Sequence, residues 1–382
     1  MKKLVSVILC LALATALLVG CSGGNAGSGS SDVIKIGIFE PLTGANAAGG
    51  ELEVRGIELA NEMFPEVLGK KVVLVKADNK SDTVEAATAA ARLVESEKVD
   101  VVLGSWGSSL AMAGGDAFKN SETPAIGTSC TNKNVTLGND YYFRVCFIDP
   151  FQGVIMANYA TKNLNATKIG IIYEVSNDYA VGLRDAFVKA LEKNGGEVVA
   201  EGMYNTGDQD FSSQLLTVMA QKPQAIFAPG NYTESALVMK QARELGYNDV
   251  VFLGGDTWET NPLIEVGGKF VEGCVFSTFF DESAKLNDMT AAFLEAYKAK
   301  YNESPAAVSA LGFDAYLAAI KAIEAAGSTD GPAVREALAA LSFDGCTGPI
   351  KFDENGDAEK STAILKTVED GAFTYLDTVT IG

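Results

Sequence analysis

The 382-residue sequence contains no histidine, and its acidic residues far outnumber its basic ones. The missing histidine excludes Ser-His-Asp and Cys-His nucleophiles, histidine-ligated zinc and histidine general bases. With 30 Lys and Arg against 49 Asp and Glu, the formal net charge is −19. So acidic a chain is a poor partner for nucleic acid phosphates and for an anionic membrane surface. We therefore expect neither acid–base catalysis near pH 7 nor nucleic-acid binding.

Long apolar runs are also scarce, and the only one extends from Leu4 to Val19, directly after Lys2 and Lys3. A short basic segment followed by an apolar run is typical of a signal peptide, here residues 1–20. The run has about 16 residues, whereas a membrane-spanning helix needs roughly 20. An ordinary secretory signal or a single membrane span is the alternative interpretation.

The apolar run ends in Leu18-Val19-Gly20-Cys21, which resembles the bacterial lipobox, whose cysteine carries a lipid. Residues 22–31 are almost all Ser and Gly, so they cannot form a core and are typical of a flexible tether. We therefore expect a lipid anchor at Cys21, a tether over 21–31, and a folded body held outside the cytoplasmic membrane.

Four cysteines remain in that body, namely Cys130, Cys146, Cys274 and Cys346. No two of them stand at CxxC spacing, which argues against a redox motif or a zinc ribbon. In an exported protein they can form two disulfides, with three possible connectivities. Four free buried thiols are the alternative.

Short β-branched runs alternate with amphipathic segments along the body, which predicts an α/β protein with parallel sheets. The predicted strands are 33–39, 72–75, 99–103, 168–173, 225–228, 250–253, 363–368 and 373–380. Helices are predicted over 289–301, 305–326 and 332–341. Apolar helix faces are predicted at Val84, Ala87, Ala91 and Val94, at Leu183, Phe187 and Ala190, and at Val238, Ala242 and Leu245.

The strand–helix series runs twice, over 33–146 and 168–276, and so predicts two lobes with a cleft between them. In such folds ligands bind at loops that follow the carboxyl ends of strands. The candidate loops are 104–109, 127–132, 174–179, 229–232 and 254–258. The first two contain hydroxyls before helix N-termini, which suit a carboxylate. The later three contain aromatics and Asp256, which suits an ammonium, so together the loops indicate an α-amino acid.

Each of these residues also has a purely structural interpretation: Ser108 or Ser109 as a helix N-cap, Asp256 as another cap, and the tyrosines as core residues. Phosphate-binding and Ser-hydrolase motifs are absent, and no cofactor or metal is expected. Residues 353–357, Asp-Glu-Asn-Gly-Asp, suggest a calcium loop, but the glycine is misplaced for an EF-hand and a hairpin turn fits better.

Three motifs resemble those of a known family, the leucine/isoleucine/valine-binding lipoproteins of branched-chain amino acid type ABC transporters. They are Gly-Ile-Phe-Glu-Pro-Leu-Thr-Gly at 37–44, Lys-Gln-Ala-Arg-Glu-Leu-Gly at 240–246, and the stretch 347–357. The resemblance implies a type I periplasmic-binding protein fold, with two Rossmann-like lobes of parallel sheets hinged through three crossovers. It places 32–147 and 280–346 in lobe 1, and 148–279 and 347–382 in lobe 2.

The resemblance also implies roles for particular residues. Ser108 would bind a ligand carboxylate, Ser129 and Thr131 would touch carboxylate and ammonium, and Asp256 would pair with the ammonium. Tyr179 and Tyr232 would close over the ligand.

The sequence departs from the family in its first loop, where an aromatic that walls the side-chain pocket is replaced by Ala-Ala-Gly-Gly at 47–50. Trp106 or Trp258 is expected to supply the wall instead. The ligand is then a branched-chain amino acid, a polar or larger one, or an amide-like solute.

Taken together, these expectations describe a monomeric extracytoplasmic lipoprotein that passes an amino acid to the membrane permease of an ABC importer. A ligand-sensing module for a partner receptor and a tethered enzyme with paired carboxylates are the alternatives.

Overall fold

The computed structural model describes residues 33–284 and 286–380. The predicted signal peptide, Cys21 and the tether therefore lie outside the described residues. None of the helices in the described part of the chain combines the length and the apolar character needed to cross a membrane.

The first sheet contains six strands in the order β2-β3-β1-β4-β5-β6. These are β1 (Val33–Glu40), β2 (Glu66–Val67), β3 (Lys70–Asp78), β4 (Val101–Leu103), β5 (Ala125–Gly127) and β6 (Tyr142–Arg144). Parallel pairing joins β1 to β4, β4 to β5 and β5 to β6, as the continuous apolar runs predict. Helices α1 (Ala47–Met63), α2 (Thr83–Ala91) and α3 (Ser108–Asn120) follow β1, β3 and β4.

The second sheet contains seven strands in the order β15-β14-β11-β10-β9-β7-β8. They are β7 (Lys168–Glu174), β8 (Glu197–Tyr204), β9 (Ala225–Phe227), β10 (Val251–Gly254), β11 (Val275–Thr278), β14 (Thr362–Glu369) and β15 (Ala372–Thr380). Its helices are α4 (Asp149–Asn158), α5 (Asp178–Lys193), α6 (Ser212–Met219), α7 (Tyr232–Glu244) and α8 (Asn261–Gly267). A hairpin of β12 (Ser342–Gly345) and β13 (Gly348–Lys351) stands apart from both sheets.

The second sheet is mixed, whereas the sequence predicted parallel strands throughout. Strand β14 pairs antiparallel with β11 and with β15. Only Asp370 and Gly371 connect β14 to β15, and both have positive φ, 52° and 74°. A two-residue turn of this kind forces an antiparallel hairpin.

Three helices late in the chain return to the first sheet: α9 (Asp288–Tyr301), α10 (Ala307–Ala326) and α11 (Gly331–Ala339). Helix α10 packs tightly against α1 because glycines stand at the contact. A Cβ atom on Gly56 would lie 1.8 Å from the carbonyl oxygen of Ser309, and one on Gly312 would lie 2.3 Å from that of Glu53. Phe293, Leu311 and Phe313 share one buried cluster with the strands of the first sheet.

The chain passes between the two sheets three times, after β6, after β11 and after β13. The protein therefore has two lobes, each built on one sheet. The resemblance predicts that lobe 2 resumes at residue 347, whereas the stretch 348–357 packs with lobe 1. Ile350 and Phe352 pack into the core of the first sheet, and Asp357 forms a salt bridge with Arg144 of β6. The other lobe boundaries stay predictions.

One predicted helix face is wrong. Val84 is 74% exposed, and α2 instead buries Ala86, Ala90 and, just beyond its end, Leu93, against Phe39. The helix has alanines on every face, so the apolar pattern of its sequence does not indicate which face is buried. The face at Leu183, Phe187 and Ala190 is buried as predicted, whereas Leu245 ends the third predicted face half-exposed, as the C-cap of α7.

The four cysteines of the body are free and buried, so the thiol alternative holds. The turn predicted at 353–357 is confirmed, because Phe352 and Ala358 form an antiparallel bridge across it and Gly356 has φ 87°. Within residues 33–284 and 286–380, no cluster of Cys, Asp and Glu side chains is suited to a metal ion.

Candidate functional site

A cleft of 310 Å³ lies between the lobes, and its lining comes from loops and first helical turns that follow strands. Lobe 1 contributes the segments after β1, β3, β4 and β5, and lobe 2 contributes those after β7, β8, β9 and β10. This is the arrangement expected for a ligand site in an α/β protein. Of the predicted site residues, Trp106, Ser108, Ser129, Tyr179 and Asp256 line the cleft. Thr131 and Tyr232 lie behind its wall.

Ser108 is the first residue of α3, and it lines the cleft with a hydroxyl group that is able to donate a hydrogen bond. Its Oγ accepts a hydrogen bond from the backbone N–H of Asn132 at 3.0 Å, which leaves the O–H group as a donor. Gly107 is the N-cap of α3, and no side chain caps the helix there. The capping role considered for Ser108 is therefore excluded, and the helix N-terminus remains available to an anion.

Ser129 has the opposite polarity, because its hydroxyl donates to the carboxyl group of Glu53. The Ser129 oxygen is then left as an acceptor toward the cleft. The next predicted residue, Thr131, is fully buried, and its carbonyl oxygen accepts the backbone N–H of Asp149 at 2.9 Å. Two serines of similar sequence context thus offer a donor and an acceptor to the same cleft.

Beneath these loops, Glu40 and Glu53 form a fully buried carboxyl pair. Glu40 accepts the backbone N–H of Trp106 at 2.7 Å, and Glu53 accepts the hydroxyl of Thr128 at 2.5 Å as well as that of Ser129. Burial, together with the neighbouring Glu53, raises the pKa of Glu40 well above its ordinary value. We therefore treat Glu40 as protonated and donating to Glu53 at neutral pH.

Arg144 fastens the loop that follows β5. Its guanidinium is fully buried, paired with Asp357, and donates to the carbonyl oxygens of Cys130 and Asn132 at 2.7 and 2.6 Å. Because Asn132 is the residue whose N–H orients Ser108, Arg144 also fixes the Ser108 hydroxyl indirectly. A buried, paired arginine of this kind is costly to disturb.

Two acids of lobe 2 line the cleft, and one of them, Glu174, already accepts hydrogen bonds from Asn177, Thr206 and the backbone N–H of Asn231. The other is Asp256, which opens a short 3₁₀ turn after β10. Its Oδ1 accepts from Nε2 of Gln152 at 2.8 Å. Burial raises the pKa of Asp256 to about 7, although the hydrogen bonds from Gln152 and Tyr179 partly offset this effect. Behind it, burial raises the pKa of Asp149 to about 8. Both acids therefore titrate near neutral pH.

The two lobes touch across the cleft mouth, so the structure shows a closed form. The hydroxyl of Tyr232 in lobe 2 donates to the carbonyl oxygen of Ala45 in lobe 1 at 2.6 Å. Ser109 Oγ donates to Oδ2 of Asp178 at 2.8 Å and accepts its backbone N–H at 3.1 Å. Asn132 Nδ2 adds a bond to the carbonyl oxygen of Asp178 at 2.7 Å.

Trp106, and not Trp258, forms a wall of the cleft. The Trp106 ring covers Gly49, where an added Cβ would lie 2.3 Å from the indole, and its centroid lies 6.3 Å from that of Tyr232. Trp258 is buried in the lobe 2 core against Phe276. Gly49, in the first turn of α1, thus leaves room for Trp106 from the loop that follows β4.

The supporting residues Glu40, Glu53, Arg144 and Gln152 are not among the site residues that the sequence predicts. A signal for two of them is present in the sequence: Glu40 ends the apolar run of β1, and Arg144 lies between Phe143 and Val145. A charged residue at or within a continuous apolar run must be paired or neutralised once buried. Glu40 and Arg144 each lie at the carboxyl end of a strand, which is where the site is expected.

Known proteins resemble this chain over nearly its whole folded length. The family model for periplasmic binding proteins matches residues 33–372. A Leu/Ile/Val-binding protein homolog of Brucella melitensis is 29% identical over 354 residues, 90% of this chain and 94% of the relative.

Two solved structures are also similar. The leucine-binding protein LivK of Thermotoga maritima is 40% identical with a TM-score of 0.88, covering 91% of this chain and 99% of that one. The transporter substrate-binding protein LivJ of Streptococcus pneumoniae, in complex with isoleucine, is 32% identical with a TM-score of 0.85, covering 91% and 100%. These matches agree with the two-lobed fold and the cleft described above. The chain belongs to the periplasmic binding protein family.

Proposed function

We propose that this protein captures an α-amino acid in the cleft and delivers it to the membrane permease of an ABC importer. Membership of the family makes it an extracytoplasmic solute-binding protein and not an enzyme. The observation that carries the amino-acid assignment is the opposite polarity of Ser108 and Ser129, with Asp256 facing them from the other lobe.

The carboxylate of the ligand lies against Ser108 and the N-terminus of α3. Ser108 has a hydroxyl proton to donate, and the first N–H groups of a helix carry partial positive charge. Among the described residues, no lysine or arginine lines the cleft, so hydroxyl and backbone donors supply the complement to the carboxylate. An arrangement of this kind binds an anion without a buried countercharge.

The ammonium lies against Ser129 and Asp256. The Ser129 hydroxyl already donates its hydrogen bond to Glu53. Its oxygen can therefore accept a hydrogen bond from the ammonium, and it has no proton to offer the carboxylate. Asp256 supplies the negative charge. Thr131 supports this end through its contact with Asp149, and Tyr179 borders it.

Ligand binding holds the lobes together. A ligand that touches Ser108 in lobe 1 and Asp256 in lobe 2 makes both contacts only in the closed form, and it therefore shifts the population toward closure. Tyr232 reinforces that form through its bond to Ala45. The crossovers between the lobes act as the hinge.

The relatives support an amino acid as the class of solute, since one is named as a leucine-binding protein and another was solved with isoleucine. The resemblance of the sequence ending at Cys21 to a lipobox, and the Ser- and Gly-rich tether over 21–31, support a lipid anchor that holds the protein beside its permease. We infer that it acts there as a monomer.

Titration calorimetry of the mature chain against the twenty common amino acids tests this function. We expect at least one of them to bind, with Asp256→Asn weakening that binding by roughly 30-fold or more, since a buried charged hydrogen bond is lost. Asp116→Asn, an exposed acid on α3, is the matched control and should leave the affinity unchanged. Absence of binding by all twenty, or equal affinity in both variants, would refute the proposal.

A further inference from the structure

The end of the cleft away from Asp256 is polar, although several relatives are named for aliphatic ligands. Its lining includes Asn46, Ser81, Thr83, Ser176, Thr206 and Asn231. Ser81, Ser176 and Thr206 already have hydrogen-bond partners within the protein, but an aliphatic side chain placed there would give no partner to any polar group of this lining that lacks one. Each buried polar group left unpaired costs about 1–3 kcal/mol.

Two buried polar atoms at this end have no hydrogen-bond partner among the described residues. They are the indole Nε1 of Trp106, whose side chain is only 1% exposed, and Oδ1 of Asn46. The large majority of buried side-chain polar atoms in native proteins have a partner in the protein or in ordered water. A cleft wall with both an unpaired donor and an unpaired acceptor therefore indicates a missing partner.

The donor and the acceptor belong to residues that both lie at the N-terminal end of α1. Asn46 immediately precedes α1, and Trp106 covers Gly49 in the first turn of that helix. Gly107 directly follows Trp106, and a Cβ atom added to Gly107 would lie 3.9 Å from the side-chain nitrogen of Asn46. Both residues line the cleft, so we expect one short side chain of a ligand to meet both.

We propose that the natural ligand is a small polar amino acid, with a carboxamide or hydroxyl side chain that accepts from Trp106 and donates to Asn46. The inference rests on the proposed amino-acid site and narrows it to one class of side chain. Trp106 is then the residue that determines specificity.

Calorimetry with pairs of equal shape tests the inference directly. Asparagine and leucine are close in size, as are threonine and valine, and the members of each pair differ mainly in polar atoms. We expect the polar member of at least one pair to bind at least tenfold more tightly, because a site built for polar groups rejects an analogue that lacks them. Tighter binding of leucine and valine would overturn this inference while leaving the amino-acid function intact. No binding by any amino acid would overturn the function itself.

Trp106→Phe keeps an aromatic wall and removes only the N–H group. We expect the preference within the pair to fall about three- to tenfold, with the affinity for the aliphatic member nearly unchanged. Trp258→Phe is the matched control, because it removes an equally buried and unpaired indole N–H from the lobe 2 core, outside the cleft. An unchanged preference in Trp106→Phe, with Asn46→Ala equally silent, would overturn the assignment. Both variants are checked for wild-type thermal melting before binding is compared.

Discussion

Glu40 and Glu53 form a buried carboxyl pair beneath the cleft, and this pair joins β1 and α1 to the loops that follow β4 and β5. Glu40 ends β1 and holds the backbone of Trp106, while Glu53 belongs to α1 and holds the hydroxyls of Thr128 and Ser129. The acceptor polarity of Ser129, on which the ligand orientation depends, therefore follows from a buried acid that never touches the ligand.

Glu40→Gln should stabilise the protein increasingly as pH rises. Burial raises the pKa of Glu40, so the folded protein holds a proton that the unfolded chain has lost. The free energy of unfolding of the wild type therefore falls as pH rises from about 4.3, the pKa of Glu40 in the unfolded chain, to the pKa in the folded protein. The amide keeps both hydrogen bonds and has no proton to lose. Thermal melts of both proteins from pH 4.5 to 9 should diverge steadily.

Glu40→Ala is the contrasting variant for that experiment. It leaves the Trp106 N–H and the Glu53 carboxyl without their partner, so we expect a loss of about 1–3 kcal/mol in the free energy of unfolding. Parallel melting curves for wild type and Glu40→Gln at every pH would show that Glu40 is ionised in the folded protein.

Ligand affinity should fall below pH 7. Burial raises the pKa of Asp256 to about 7, and an ammonium pairs only with its ionised form, so the proton must leave before binding. The dissociation constant should rise by up to tenfold per pH unit below about 7 and flatten above it. Burial is the main cause of the raised pKa of Asp256, and the buried acid Glu53 raises it further, so these two effects determine where the bend falls.

Calorimetry between pH 5.5 and 8.5 in buffers of different ionisation heat measures both the affinity and the released proton. Asp256→Asn should bind weakly with no bend near pH 7. A wild-type affinity that is independent of pH across this range would be inconsistent with Asp256 as the partner of the ammonium.

Gly49→Ala should displace Trp106. The new methyl group would lie 2.3 Å from the fully buried indole, and overpacking of this kind costs about 1–3 kcal/mol. Chemical denaturation measures the loss, and tryptophan fluorescence reports the displacement. Gly115→Ala in α3 is the matched control, because its methyl group has more room, with Asn139 Nδ2 at 3.2 Å and Cδ2 of Tyr142 at 4.0 Å. Equal stabilities of the two variants would mean that Trp106 does not need the space above Gly49.

Tyr232→Phe should weaken ligand binding by about two- to tenfold, since it removes the hydrogen bond across the closed cleft to Ala45, worth roughly 0.5–1.5 kcal/mol. Tyr301→Phe removes a comparable bond, to the carbonyl oxygen of Arg55, entirely within lobe 1. Its affinity should match the wild type. If both variants bind equally, the Tyr232 bond makes no contribution to closure.

Much of the fold is accessible from the sequence because its strands are buried on both faces. Runs such as 33–39 and 168–173 are nearly continuous in apolar residues, with one lysine each, and their strands extend at most one residue further. Strand β8, Glu197–Tyr204, was missed because it is the edge of its sheet and mostly half-buried, so it lacks that signature. The return of α9–α11 to the first lobe depends on contacts between distant segments, and only the family resemblance indicated it.

The candidate site was predictable as a set of loops but not as a set of directed hydrogen bonds. Ser108, Ser129 and Asp256 were placed correctly at the cleft by their position after strands. Whether a serine donates or accepts depends on a third residue, Asn132 for Ser108 and Glu53 for Ser129. Those partners lie far away in the sequence, so the polarity emerges only from the folded structure.

The orientation of the ligand is the central claim, and a crystal structure of the mature chain with its tightest-binding amino acid tests it most directly. We predict the α-carboxylate within about 2.7–3.2 Å of Ser108 Oγ and the α3 N-terminus, and the ammonium at similar distances from Ser129 Oγ and Asp256. A carboxylate bound to Ser129, or an ammonium that avoids Asp256, would contradict the account.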